Sequence, residues 1–117
     1  RLCSWVQRLF GAFSMSMHNK TQRGIQSKLA VMRHFVDQGY YVYNETNNTG
    51  PVDVIAINPE TLEVRLIEVK TMCFRSATAN WKPGSMIYRK LKPIQKELNV
   101  SIVYHNVETG EIKDAAA

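Results

Sequence analysis

Three charged side chains stand at the ends of two apolar runs. Asp53 lies at the mouth of the run 52–57, and Glu68 and Lys70 close the run 64–70. Both runs are rich in Val, Ile and Leu. Asn58-Pro59-Glu60-Thr61 between them has turn chemistry, so the stretch predicts a β-hairpin. Charges are rarely placed in buried strands without a partner. Glu68 and Lys70 are two residues apart, so a strand points both to one face, roughly 7 Å apart. In an antiparallel hairpin the start of the first strand lies opposite the end of the second, which makes Asp53 and Glu68 neighbours.

Two carboxylates a few ångströms apart repel unless a cation or a proton lies between them. Mg²⁺ takes few protein carboxylates and keeps its waters, which suits this pair, with Mn²⁺ as an alternative. Lys70 beside them can hold or deprotonate one of those waters, or neutralise a phosphate. The competing reading is a plain surface hairpin with charged ends. The other residues of metal chemistry form no pattern: His18, His34 and His105 are scattered, and Cys3 and Cys73 lie far apart. That cysteine usage predicts a reducing, intracellular setting.

The net charge is +5, and its distribution says more than its size. Residues 1–36 hold six bases and no acid, residues 37–68 hold six acids against Arg65, and residues 69–96 hold seven bases and no acid. An acidic centre between basic segments suits a metal site held against a polyanion, whereas a solvated basic surface is the simpler alternative. The candidate DNA contacts are Arg23, Lys28, Arg75, Lys82, Arg89 and Lys90. Asn48 and Thr49, in the polar loop 44–50, add an amide and a hydroxyl for phosphate oxygens. They are equally at home as turn residues. Trp81, between Arg75 and Lys82, can stack on a base or cap the core.

The elements that must position these groups follow from periodicity. A chain of 117 residues makes one domain, here 18–114. Residues 1–17 form an amphipathic extension, with Leu2, Trp5, Val6, Leu9, Phe10 and Phe13 at helical spacing. It is too short to span a membrane, and Arg8 and the want of a small-residue cleavage site argue against a signal peptide. A helix is predicted from Gly24 to about Gln38, capped at Asn19 or Thr21, with Ile25, Leu29, Met32, Phe35 and Val36 inward and Gly39 ending it. A strand at 40–43, the hairpin, an irregular loop at 71–85 and a helix at 86–98 come next. That second helix has Ile87, Leu91, Ile94 and Leu98 on one face, and Pro93 kinks it or starts its regular part. A strand at 100–105 and a short edge at 111–113 complete an α/β single domain, a mixed sheet with flanking helices.

Taken together, Pro51-Val52-Asp53 and Glu68-Val69-Lys70, with the preceding helix, Gly39 and the aromatic strand, resemble the PD-(D/E)XK nuclease superfamily. The likeness covers roughly residues 20–105 and is greatest to archaeal-type Holliday junction resolvases and related phage endonucleases. It implies a restriction-endonuclease-like αβββαβ core and Mg²⁺-dependent hydrolysis of DNA. It further implies that Asp53 and Glu68 bind the metal, that Val69 offers its carbonyl, and that Lys70 assists the attacking water. Such resolvases act as homodimers, because two opposed cuts need two sites related by a two-fold axis. A homing or restriction-like endonuclease and a catalytically inactive DNA-binding module are the alternatives. The family's usual acid on the first helix falls at Lys28, where an ammonium would face the metal site.

Overall fold

The computed structural model describes residues 19–76 and 84–115. The extension 1–17, Trp81 and Lys82 therefore lie outside the described residues. Helix α1 (Lys20–Asp37) begins one turn earlier than Gly24, because Asn19 and Gln22 form a reciprocal capping box. The Asn19 side chain accepts from Gln22 N at 2.9 Å, and the Gln22 side chain accepts from Asn19 N at 2.9 Å. The helix ends as expected at Gly39, whose φ of 89° lets Gly39 N and Tyr40 N return to the carbonyls of Val36 and Phe35.

Five strands follow: β1 (Tyr41–Asn44), β2 (Val54–Ile57), β3 (Val64–Thr71), β4 (Ser101–His105) and β5 (Ile112–Asp114). They form one sheet in the order β1-β2-β3-β4-β5, with β3 and β4 parallel and the other pairs antiparallel. The β2–β3 turn is built by Asn58, whose side-chain oxygen accepts from Glu60 N at 2.9 Å. The parallel pair requires a crossover, and the chain makes it through residues 72–100, including the short helix α2 (Pro93–Glu97). The result is the expected α/β domain with a mixed sheet and flanking helices.

The two faces of the sheet are distinct. Val54, Ala56, Ile67 and Val103 pack with Val31 and Phe35 of α1. On the opposite face Ile102 and Tyr104 pack with Met72, and Met86 and Leu91 cover them. Strand residues alternate between faces, so Glu68 and Lys70 belong to the second face, away from α1.

Two expectations from periodicity are corrected. The buried stripe of α1 is Ser27, Val31 and Phe35, whereas Ile25, Leu29 and Val36 are 54%, 61% and 56% exposed. The helix is rotated because Ser27 is drawn inward by hydroxyl and imidazole partners, Thr71 Oγ1 at 2.7 Å and His105 Nδ1 at 3.0 Å. The predicted helix 86–98 shrinks to Pro93–Glu97. Ahead of Pro93 the backbone donors go elsewhere: Ile87 N to Cys73 O at 2.8 Å, and Arg89 N to the Tyr104 hydroxyl at 2.8 Å. The residue before a proline is also held extended, as Lys92 is with ψ of 158°, so the helix starts at the proline. Of the predicted loop 71–85, residues 77–83 lie outside the described residues, and at its base Phe74 bridges Met86. Among the described residues no helix is long and apolar enough to cross a membrane.

Candidate active site

The site lies where β2 and β3 part. Val54 is the register partner of Ile67, which puts Asp53 beside Glu68 one step beyond the ladder. Asp53 is tied there by both its backbone and its side chain. Its N–H donates to Ile67 O at 2.9 Å, and its Oδ2 accepts from Val69 N at 2.9 Å. In a strand the N–H and C=O of one residue point to the same side. The Val69 carbonyl therefore faces the edge on which Asp53 sits.

Glu68 is half-buried and held from two directions. Lys70 Nζ stands 3.3 Å from Oε1, and Gln95 Nε2 donates to Oε2 at 2.8 Å. Burial pushes the Glu68 carboxyl above its ordinary range, the Asp53 charge pushes it further, and Lys70 opposes both. The Asp53 charge thus reaches the Glu68 carboxyl, and a cation or a proton between two such carboxylates is favoured.

The donor set fits Mg²⁺. Two carboxylates and a backbone carbonyl supply hard oxygen ligands, and Mg²⁺ commonly takes one or two carboxylates with waters and phosphate for the rest. Among the described residues no group of three or more His, Cys, Asp or Glu side chains is placed to hold a metal.

Gln95 was not legible as a site residue. It lies on α2, only 6% exposed, and bonds Glu68 Oε2, Pro51 O at 3.0 Å and Lys92 N at 2.9 Å. It thereby joins the crossover helix, the turn before Asp53 and the second carboxylate. A glutamine in a basic segment gives no sequence signal for that role. Glu45 was missed as well: its Oε1 accepts from Thr49 N at 2.9 Å and from Gly50 N, closing the loop that leads to Asp53. A Cβ at Gly50 would meet that oxygen at 2.9 Å, so a side chain there would push the Glu45 carboxylate aside.

The remaining predicted contacts are dispersed. Lys28 donates to Asn48 Oδ1 at 2.7 Å, joining α1 to the loop before Asp53. Among the described residues it forms no ion pair with Asp53 or Glu68. Thr49 is exposed in the same loop, and Arg23 is exposed in the first turn of α1, with its carbonyl 3.5 Å from Thr71 Oγ1. Arg75 is partly buried and ties its own loop, its guanidinium donating to Met86 O at 3.4 Å. Arg89 and Lys90 are exposed beside the crossover. No family model, curated protein or solved structure matches this chain.

Proposed function

We propose that this protein is a Mg²⁺-dependent DNA endonuclease of PD-(D/E)XK type, with Holliday junction resolvase-like action as its nearest kind. One observation carries the reading: Asp53, Glu68 and Lys70 meet at one end of the β2–β3 pair, with Glu68 held above its ordinary pKa by burial and by Asp53. Asp53, Glu68 and the Val69 carbonyl are the residues that would hold the metal. When bound, Mg²⁺ supplies charge neutralisation at the phosphate and a more acidic water. The Lys70 ammonium orients the attacking water, and Gln95 holds the Glu68 carboxylate in place. The basic residues of the 69–96 segment hold the DNA backbone, and a homodimer provides the second cut.

A DNA-binding module that does not cut is the second reading. It is favoured by the lysine at position 28, which contributes a cation where the family carries an acid. The deciding assay is cleavage of four-way-junction and duplex DNA in Mg²⁺ by the parent, Asp53→Ala and Glu68→Gln. Cleavage by the parent that both substitutions abolish, with DNA binding retained, supports the endonuclease. Full activity in either variant removes the assigned metal site.

A further inference from the structure

On the second face of the sheet, β4 carries a cavity of about 640 Å³ beside the carboxylates. Its floor includes Ile102 and Tyr104, which are the parallel register partners of Glu68 and Lys70. Paired residues share a face and neighbouring strands lie about 4.8 Å apart, so the cavity is one strand away from the candidate metal site. Its walls include Tyr88, Arg89, Lys90 and Lys96, and none of the described residues that line it is acidic. Tyr88 packs edge-on to Tyr104 with ring centroids 5.8 Å apart, and Lys113 stands 4.9 Å above the Tyr88 ring. The Tyr88 side chain is nonetheless well exposed, at 57%.

An apolar floor, an exposed aromatic ring and a cationic rim match one kind of occupant: a base with its phosphate. A paired base cannot enter, because its faces are covered by its neighbours. Single-stranded nucleic acid is commonly held by aromatic stacking beside a positive groove, and small-molecule sites run to about 300–1,000 Å³. We infer that the Tyr88–Tyr104 cavity receives one unpaired nucleotide of the DNA, stacked on Tyr88 with its phosphate toward Arg89, Lys90 and Lys96. The inference rests on the DNA-binding part of the function proposed above. It gives that function a preference for DNA with an unstacked nucleotide next to the cut, as at a branch or bulge.

The test is equilibrium binding, without divalent metal, of a duplex carrying one unpaired nucleotide and of its fully paired counterpart. The parent is expected to bind the first about 5- to 100-fold tighter. Tyr88→Ala should abolish that preference while leaving paired-duplex affinity within about twofold, and Tyr88→Phe should keep it. Equal affinity of the parent for both DNAs, or a preference that survives Tyr88→Ala, overturns the inference. Because cleavage is not the readout, the two proposals fail separately. Glu68-dependent cutting without a Tyr88-dependent preference removes the cavity's role alone. The preference without any cutting in Mg²⁺ supports the cavity and removes the nuclease.

Discussion

Glu68 is the side chain on which the local free energies conflict. Its carboxyl sits above the ordinary value of 4.5 because burial and Asp53 both oppose its charge. For an acid with a raised folded pKa, the folded state keeps the proton to higher pH than the unfolded chain does. That stabilisation is present at pH below about 4.5 and is lost as pH rises through the folded value. Glu68→Gln should therefore melt higher than the parent at pH 8 and no higher at pH 4, since the amide cannot ionise. Thermal melts at the two pH values check this, and a lower melting temperature at pH 8 would show that the carboxylate is not under strain there. The same variant should lose Mg²⁺-dependent cleavage by about a hundredfold or more, the trade of stability against function found where charge is held for chemistry. Gln95 makes the complementary case. Replacing it with Leu leaves Pro51 O and Lys92 N without their buried partner, and should cost about 1–3 kcal/mol in chemical denaturation. The pairing of Asp53 with Glu68 was legible from spacing alone, because strand alternation and hairpin register are short-range rules. Gln95 was not, because its contacts come from a crossover whose path no local pattern specifies.

At the level of elements, α1 is joined to the sheet by a polar chain as well as by Val31 and Phe35. Ser27 Oγ lies 2.7 Å from Thr71 Oγ1 on β3 and 3.0 Å from His105 Nδ1 on β4. His105 is 7% exposed, and burial holds its pKa below the ordinary 6.5. A histidine with a depressed folded pKa stabilises fully above about pH 6.5, and that contribution is lost as pH falls from there toward the folded value. The parent should therefore lose more stability than His105→Gln between pH 7.5 and 5.5, measured as the difference in denaturation midpoint. An equal loss would show that His105 does not sense the acid. Ser27→Ala removes the buried hydroxyl that links Thr71 and His105 and should cost about 1–3 kcal/mol. This cluster explains why the helix was found but its inward face was misread. Apolar spacing favoured Ile25 and Leu29, whereas a serine with two partners on neighbouring strands outweighs them. The helix 86–98 failed for a related reason: the 3.6-residue rhythm of Ile87, Leu91, Ile94 and Leu98 was real, but Tyr104 and Cys73 had taken the backbone donors. Strand existence, by contrast, was read almost to the residue, since β-branched runs bounded by turn residues leave few alternatives.

Across the whole molecule, charge and sheet order act together. Arg65 on β3 reaches over β4 to Asp114 on β5 with a bidentate pair at 2.6 and 2.8 Å, and its guanidinium lies 5.2 Å from the Phe35 ring centroid. This ion pair uses the only basic residue of the acidic segment 37–68 for structure. Among the described residues, the exposed bases available to a polyanion include Arg89, Lys90 and Lys96 of the crossover and Arg23 at the start of α1. The crossover bases lie on the face that carries Glu68, so the proposed phosphate contacts and the proposed metal site fall on one side of the sheet. Each phosphate they neutralise should add about 0.7–0.9 to the magnitude of the log–log slope of affinity against salt. Lys90→Ala and Lys96→Ala should each lower that slope by about one such increment, because each removes a phosphate contact. Arg75→Ala should instead lower stability with little change in slope, since its guanidinium is engaged with Met86 O. Salt titrations of the three variants against one duplex separate these outcomes. A slope unchanged by Lys90→Ala and Lys96→Ala would move the DNA path off the crossover, and with it away from Asp53 and Glu68.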